Sequence, residues 1–408
     1  MKTKILFVFF LLFSLTSGQM PWYRVLERGP WGPYGDIWNH TSLVFNNNLW
    51  VIGGYSIWTG NRWIWHGATW YSPDGVNWTC AVDSAPWLSG SGHTSVVFDN
   101  KMWIIGGAIW PLSWPQANRV WYSPDGVNWT CAVESAPWGY VWDYHTSVVF
   151  NNKIWVIGDS CGLGVWYSPD GVNWTCATES APWGPRGGHA SVVFHNKIWV
   201  IGGYVPGRGD VNDVWYSLDG TNWTCATNSA PWRGRKKHTA VVFRDTLWIM
   251  GGWSDTPIET FYGDVWYSPD GVNWTCATES AGWGRRAFHS STVYNNRIWL
   301  IGGDTICYNS NSPCGDVWYS TGLNATEFEP ITQPVSPTPT IIHLSQLSQF
   351  FQQLRQPAIL FNTSGQKIDL NGANPIRHLK PGLYFLLPQR ETDFNTQGRK
   401  TQKIILIN

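Results

Sequence analysis

Short apolar stretches recur along the chain, each four to six residues long and each bounded by turn-forming residues. In a typical copy, HTSVVF and IWVIGG are separated by Asn-Asn-Lys, and VWYS and NWTCAT are separated by Pro-Asp-Gly-Val. β-Branched and aromatic residues favour strands, whereas Asn, Asp and Gly tolerate the backbone angles of tight turns. Each copy therefore predicts four antiparallel strands.

A histidine opens every copy, and its positions define the repeat: His40, His93, His145, His189, His238 and His289. The intervals are 53, 52, 44, 49 and 51 residues. Four-stranded units repeated at this period predict a β-propeller, whose sheets bury their faces against one another. A diglycine follows the second strand in every copy except the third, which has Gly158-Asp159. Together with the aromatic pair of the third strand and the Trp that follows it, this pattern resembles the kelch repeat and implies a six-bladed kelch-type β-propeller.

The two ends of the repeat region complement each other. The sixth copy reaches VWYS at Ser320 but lacks a fourth strand, whereas Trp22 precedes Trp31 by the same nine residues that separate Trp78 from Trp87. We therefore predict that residues 21–27 supply the outermost strand of the last blade. The propeller is expected to span residues 20–327.

The N-terminal residues read as an export signal. Lys2 and Lys4 precede an apolar run, which is followed by small and polar residues up to Gly18. This order predicts a signal peptide at residues 1–18 and a secreted or surface-exposed protein. No later stretch approaches the length of a membrane-spanning helix. The net charge is zero and only 13% of residues are charged, which argues against a nucleic-acid partner.

The C-terminal residues differ in composition from the repeats. A Pro-rich linker at 328–340 precedes short strand-like runs in residues 341–408. Ser364-Gly365-Gln366, the run Leu379 to Phe385 and the end Lys403 to Asn408 resemble the sorting domain of type IX secretion substrates. This resemblance implies a small β-sandwich-like sorting or anchoring domain, a bacterial source and the type IX secretion machinery as a partner.

Eight of the 32 tryptophans fall outside the four Trp positions of the repeat. They are Trp38, Trp58, Trp63, Trp65, Trp110, Trp114, Trp142 and Trp253. All lie between second and third strands or between one copy and the next. Because strands alternate in direction, these connections emerge on one side of the disc, which we call the loop face. Aromatic side chains on such loops suit the flat faces of sugar rings.

The later loops add positive charge to the loop face. The basic residues are Arg186, Arg208, Arg233, Arg235, Lys236, Lys237, Arg285 and Arg286. Arginine binds carboxylate and phosphate groups well. From this set we select Arg186, Arg235, Arg285 and Arg286, with the eight tryptophans, as ligand contacts. The other interpretation is that the aromatic residues only hold the long loops together.

Cysteine and histidine suggest little chemistry of their own. Five cysteines occupy one repeat position and lie on different blades, so Cys307 and Cys314 form the one credible disulfide pair. The six histidines are distributed around an axis and are expected to be structural, so no metal or other cofactor is predicted. Each is expected to hydrogen-bond the loop that precedes its strand.

Three function classes follow. We favour a non-catalytic binding protein whose loop face takes a glycan or another surface ligand. A sugar-active enzyme on a kelch scaffold, similar to a sialic-acid mutarotase, is the second, with Asp210, Asp255 and Glu259 as available acids. A protein–protein interaction platform is the third. No catalytic residue is assigned, because no loop contains an obvious pair of carboxylates.

Overall fold

The chain in this computed structural model divides into two compact units, Met1–Thr326 and Glu327–Asn408. The structure describes residues 20–31, 36–58, 63–65, 67–87, 92–107, 118–138, 144–158, 164–255, 257–305 and 314–323 of the first unit. In the second unit it describes five strands. For those strands, and for 55–58 and 63–65, it describes the backbone alone. The predicted signal peptide lies outside the described residues.

Six four-stranded antiparallel sheets form the blades of a β-propeller. From the innermost strand outward, blade 1 contains β2 (Thr41–Phe45), β3 (Asn48–Ile52), β6 (Thr69–Ser72) and β7 (Thr79–Val82), and blade 2 contains β8 (Thr94–Phe98), β9 (Lys101–Ile105), β10 (Val120–Ser123) and β11 (Thr130–Val133). Blade 3 contains β12 (Thr146–Phe150), β13 (Lys153–Ile157), β14 (Val165–Ser168) and β15 (Thr175–Thr178), and blade 4 contains β16 (Ala190–Phe194), β17 (Lys197–Val205), β18 (Gly209–Ser217) and β19 (Trp223–Thr227). Blade 5 contains β20 (Thr239–Val242), β21 (Leu247–Met250), β24 (Val265–Ser268) and β25 (Thr275–Thr278), and blade 6 contains β26 (Ser290–Tyr294), β27 (Arg297–Ile301), β28 (Val317–Ser320) and β1 (Tyr23–Leu26). The six-bladed all-β fold is confirmed.

The ring closes through the N-terminal strand. β1 pairs with β28, with Tyr23 opposite Tyr319 and Arg24 opposite Trp318, so the outermost strand of blade 6 comes from the start of the chain. Neighbouring innermost strands contact one another around the whole circle, including β26 with β2. Closure leaves no blade with an unpaired face.

Two kinds of tight turn shape the face opposite the loop face. Two residues between the first and second strands have positive φ in every blade, such as Asn46 (φ 46°) and Asn47 (φ 59°). The turn after the third strand is closed by its aspartate: Asp125 Oδ1 accepts the amide hydrogens of Val127 and Asn128 at 2.8 and 2.7 Å. These hydrogen bonds lower the pKa of Asp125 to about 2, although partial burial opposes the shift.

Tryptophans of the second strands build the contacts between blades. The Trp50 indole donates a hydrogen bond to the Phe45 carbonyl at 3.0 Å, and its ring lies against Gly126 in the turn of blade 2. A Cβ at Gly126 would lie 2.3 Å from that ring, and its φ is +81°. Each of the six junctions between blades has its own buried apolar cluster.

Additional hairpins project from the loop face. In blade 1, β4 (Tyr55–Trp58) pairs with β5 (Trp63–Trp65), and Trp58 is opposite Trp63 in the register. In blade 5, β22 (Trp253–Ser254) pairs with β23 (Thr260–Phe261). The second and third strands of blade 4 are themselves extended into a longer hairpin.

The C-terminal unit contains one five-stranded sheet among its described residues. Its strands are β29 (Thr340–His343), β30 (Ala358–Asn362), β31 (Lys367–Ile368), β32 (Gly382–Pro388) and β33 (Gln402–Ile407). The order is β29-β33-β32-β30-β31, with β29 and β33 parallel. The sandwich and the sorting role stay predictions. Within the described residues of both units, no helix has the length and hydrophobicity needed to cross a membrane.

Candidate functional site

The six repeat histidines surround the propeller axis at the start of the innermost strands. All are buried, with 3–5% of their surface exposed. His189 Nε2 lies 2.8 Å from Thr146 Oγ1 of the preceding blade, and His40 Nε2 lies 2.7 Å from Ser290 Oγ of blade 6. Five of the six histidines, all except His238, therefore link one blade to the next, and the expectation that each bonds its own preceding loop is wrong.

Burial keeps these imidazoles neutral. Loss of solvation lowers the pKa of His40 to about 3 and that of His93 to about 4. His145 Nε2 lies 3.1 Å from the Ile105 carbonyl oxygen, which can only accept, so the ring hydrogen belongs on Nε2 and Nδ1 is an acceptor. Nδ1 of His40, His93, His189, His238 and His289 has no hydrogen-bond partner among the described residues. In the same part of the chain, no three His, Cys, Asp or Glu side chains are grouped so as to hold a metal ion.

A cavity of about 100 Å³, open to solvent, lies at the axis on the loop face. Its described lining residues are Asn39, His40, Tyr144, His145, Gly188, His189, Lys237, His238, Phe288 and His289. The cavity brings together rings and polar atoms from several blades, and we treat it as the candidate site.

A chain of backbone hydrogen bonds forms the rim of this cavity. The amide of Asn39 donates to the Phe288 carbonyl at 2.8 Å, Phe288 donates to Lys237 at 3.2 Å, Lys237 donates to Gly188 at 2.7 Å, and Gly188 donates to Tyr144 at 2.9 Å. Each rim residue immediately precedes an axial histidine. The rim therefore joins five blades through main-chain atoms alone.

Aromatic side chains surround one sector of the rim. Trp38 meets Phe288 edge to face, with ring centroids 5.5 Å apart, and Trp253 lies 6.1 Å from Phe288 on another side. Both tryptophans are partly exposed. The structure thus brings together two of the eight predicted tryptophans beside the cavity, packed on a shared phenylalanine.

The other six predicted tryptophans cannot be placed in the same way. Trp58, Trp63 and Trp65 belong to the hairpin β4–β5, whose side chains are outside the described part of the structure, as are residues Trp110, Trp114 and Trp142. Cys307 lies outside it as well, so the predicted disulfide with Cys314 stays a prediction.

Three of the four predicted arginines are buried rather than presented to a ligand. Arg186 holds Asp213 with two hydrogen bonds of 2.7 and 3.0 Å, and neither side chain is more than 3% exposed. Arg235 pairs in the same way with Asp264 in blade 5, and Arg286 with Asp316 in blade 6. Asp264 is partly buried and Asp316 is buried. These three predictions need correction, because the guanidinium groups are paired with aspartates inside their blades. Arg285 is exposed.

A fourth cation of the predicted basic set is also held internally. Lys236 Nζ lies 2.9 Å from Asp255 and 3.5 Å from Asp210, and it sits over the rings of Trp253 and Tyr204 at 4.2 and 4.8 Å. These contacts tie the long hairpin of blade 4 to the loop of blade 5. Much of the predicted positive charge is therefore neutralised by neighbouring carboxylates.

A pair of carboxyl groups that sequence reasoning missed lies near the rim. Burial, with a further contribution from Asp304, raises the pKa of Asp36 to about 6, although Arg28 opposes the shift. Asp304 is joined to Ala287, next to the rim residue Phe288, by two backbone hydrogen bonds. The two acids are 268 positions apart in the sequence and meet because blade 6 adjoins blade 1. The closure of the ring, which the sequence predicts, would have indicated that Asp36 and Asp304 lie near each other.

Comparisons with known proteins agree with the geometry. Residues 144–321 match a family model described as the KLHDC2/KLHL20/DRC7 Kelch-repeats domain. The solved structure entitled "Structure of YjhT" superposes with a TM-score of 0.54 at 19% identity, covering 72% of this chain and 96% of that chain. No curated protein matches the sequence. The chain therefore forms a six-bladed β-propeller, and residues 144–321 of it are similar to a Kelch-repeats domain.

Proposed function

We propose that the loop face binds a hydroxyl-rich ligand, a glycan, in the axial cavity and holds it without chemical change. The observation that carries this proposal is the cavity itself, open to solvent and lined by neutral imidazoles and aromatic rings. The cavity is one of the places where ligand sites concentrate, a concave surface where several elements converge.

The polar lining suits sugar hydroxyls. Nδ1 of His40, His189, His238 and His289 has no hydrogen-bond partner among the described residues. A sugar hydroxyl both donates and accepts, so it can pair with such a nitrogen in either tautomer of the neutral ring. A buried polar atom left without a partner costs free energy, so occupation by a hydroxylated ligand would be favourable.

The aromatic sector supplies the second half of sugar recognition. Tyr144 and Phe288 line the cavity, and Trp38 and Trp253 extend this surface outward from Phe288. The apolar faces of pyranose rings pack against such side chains. The same face would carry the hairpin tryptophans Trp58 and Trp63, since β4–β5 also projects from it.

Display of this face outside the cell is part of the proposal. The signal peptide at residues 1–18 supports export, and the C-terminal resemblance supports type IX secretion with surface anchoring. Intact-mass analysis of the protein recovered outside the cell tests both: a chain beginning at residue 19 or 20 is expected. A chain that retains residues 1–18 and stays inside the cell contradicts export.

A glycan array tests the binding proposal. The parent protein is expected to give hits that Tyr144→Ala and Trp38→Ala abolish, because both remove aromatic surface at or beside the cavity. Tyr23→Ala is the matched control, since Tyr23 is an exposed aromatic residue on β1, outside the loop face. An array without hits, or hits that survive both loop-face variants, contradicts the proposal.

The carboxyl pair favours a second candidate, a sugar-active enzyme. An acid with a pKa of about 6 can exchange a proton near neutral pH, and Asp36 has this property beside Asp304. NMR measurement of anomer exchange in reducing sugars tests this candidate. Acceleration by the parent that Asp36→Asn removes while binding persists would favour the enzyme, whereas an uncatalysed rate in the parent would leave the binding protein alone.

A further inference from the structure

The residue after each axial histidine carries a hydroxyl group in every blade except blade 4. These residues are, in chain order, Thr41, Thr94, Thr146, Ala190, Thr239 and Ser290. Four of the hydroxyls lie against the histidine of the next blade. Thr41 Oγ1 is 3.1 Å from His93 Nε2. Thr239 Oγ1 is 3.0 Å from His289 Nε2, and two further histidines are held in the same way. A hydroxyl of one blade and a histidine of the next therefore form a repeated link around the axis.

Blade 4 interrupts this link, because Ala190 stands where a hydroxyl would meet His238. Neither ring nitrogen of His238 has a hydrogen-bond partner among the described residues. The Ile201 backbone acts on the pKa of the ring, but no hydrogen bond of ordinary distance and angle joins the two. His238 is only 4% exposed, and it lines the axial cavity. A buried polar group in this state costs free energy, so a ligand atom that pairs with it gains affinity.

The His238 ring is neutral. Burial, with a further contribution from Arg235, lowers the pKa of His238 to about 3, although Asp264 and the Ile201 backbone oppose the shift. A neutral imidazole has one N–H donor and one acceptor nitrogen, and it has no charge with which to attract an anion. The group that matches it is an alcohol, which both donates and accepts a hydrogen bond.

The side chain at position 190 sets the size of the group that fits beside His238. Threonine exceeds alanine by one carbon and one oxygen atom, and these are also the two heavy atoms of a hydroxymethyl group. Ala190 is buried in β16 and directly follows His189, which lines the cavity as His238 does. A slim hydroxymethyl group that enters from the cavity would take the place that a threonine side chain fills in other blades.

We infer that His238, beside Ala190, is the specificity-determining residue of the axial cavity and binds the primary hydroxyl of a hydroxymethyl group on the ligand. The ligand class is then a glycan that ends in a hexose with a free C6 hydroxyl. Pentoses and 6-deoxy sugars lack this hydroxyl, and uronic acids replace it with a charged carboxylate. This inference rests on the proposed function and adds the chemical class of the sugar.

An array of matched glycans that end in a hexose, its 6-deoxy counterpart or a pentose tests the inference. Calorimetry then follows on the strongest hexose member and its 6-deoxy counterpart. The parent is expected to prefer the hexose at least about tenfold, because the 6-deoxy sugar leaves His238 unpaired. Ala190→Thr should remove that preference, since threonine fills the space and gives His238 the hydroxyl of the repeat.

Two companion variants guard this experiment against a folding artefact. Ala190→Ser supplies the hydroxyl without the methyl group, as Ser290 does where it meets His40 at 2.7 Å, and should weaken hexose binding in the same direction. Ala240→Ser is the matched control. It also restores the serine found at that repeat position in the other blades, two residues after the histidine, but it does so away from the described cavity lining. It should leave both affinities unchanged.

Thermal unfolding provides a readout that does not depend on any ligand. Ala190→Thr or Ala190→Ser should raise the melting temperature by about 2 °C, because the new hydroxyl pairs with His238. Ser290→Ala removes the hydroxyl that holds His40 and should lower the melting temperature by a similar amount.

The outcomes separate the two proposals. If the parent binds hexose and 6-deoxy members equally, the binding function stands and the role of His238 is wrong. The role is also wrong if both Ala190 variants fold and keep the preference for the hexose. If the parent binds no glycan, both proposals fail together. If both Ala190 variants melt below the parent, the argument from the missing hydroxyl is wrong whatever the array shows.

Discussion

Removing Arg186 tests whether the buried arginines are structural. The Arg186→Ile variant keeps an apolar side chain of moderate size but leaves Asp213 in an interior where it is about 3% exposed. Asp213 loses hydrogen bonds of 2.7 and 3.0 Å, and the Gly202 and Trp183 carbonyls lose donors at 3.0 and 3.3 Å. Breaking a buried ion pair from one side costs about 3–5 kcal/mol.

Two remaining contacts of Asp213 place the expected loss at the lower end of this range. The Trp215 indole still donates to Asp213 at 3.1 Å, and the exposed Arg208 lies 3.7 Å away and can partly replace the lost charge. We therefore expect a loss of about 3 kcal/mol in the free energy of unfolding. Urea denaturation followed by circular dichroism measures it, with Arg119→Met as the control. The Arg119–Glu134 pair is on the surface, so its loss should be below about 1 kcal/mol.

Blade 1 suggests a double variant that tests whether the Arg186–Asp213 pair is structural. It has Ile37 and Ala68 where blade 4 has Arg186 and Asp213, and both residues are buried there. The double variant Arg186→Ile/Asp213→Ala copies this pair and removes the unpaired carboxylate. It should recover at least about 1–2 kcal/mol relative to Arg186→Ile alone. A single variant that costs less than about 1 kcal/mol, or a double variant as unstable as the sum of two singles, would refute the structural role.

Three further predictions concern the fold. The pKa values of the axial histidines and turn aspartates are lower in the folded state than in the unfolded state, so the folded state binds fewer protons and stability should fall as the pH drops from about 6.5 towards 2. The Asp125→Asn variant should show a weaker pH dependence below pH 4. Urea titrations at several pH values measure this, and a free energy of unfolding that does not change with pH would contradict the prediction. Gly126→Ala should destabilise more than Gly184→Ala, because only the first Cβ would meet a ring, that of Trp50, while both share a positive φ; equal melting temperatures would exclude the packing argument. Deleting residues 20–30 removes β1 and should abolish cooperative unfolding, whereas a truncated protein that melts like the parent would show that closure contributes little.

The fold was predictable from sequence because the repeat states the same local pattern six times. Turn residues, strand period and diglycine positions all agree within each copy, and the interval from Trp22 to Trp31 indicates which end completes blade 6. A topology can be predicted from sequence when local signals of this kind agree with one another.

The arginine error came from an incomplete use of the same repeat. Arg186, Arg235 and Arg286 all lie three residues before an axial histidine, so they share one repeat position. Their partners Asp213, Asp264 and Asp316 share another, one residue before the third strand's Val-Trp. Two charged residue types that recur together at fixed offsets indicate an internal pair, just as recurring tryptophans indicate packing.

The residue before each axial histidine differs in type from blade to blade, although its backbone conformation is mostly the same. At the position before each histidine, Asn39, Gly92 and Gly188 signal a left-handed backbone, because these residue types tolerate positive φ. Against that pattern Lys237 and Phe288 are the exceptions, and both line the cavity, as do Asn39 and Gly188. The sequence alone shows that these two positions differ from the others. Only the closed ring shows that the positions before the histidines lie together around one axis.

The position of Lys237 beside Lys236 explains why charge alone misled the reading of this face. Adjacent residues of a strand entry point to different sides, so one lysine reaches Asp255 and Asp210 while the other reaches the axial cavity. Counting both as one basic surface therefore combined two lysines with different surroundings.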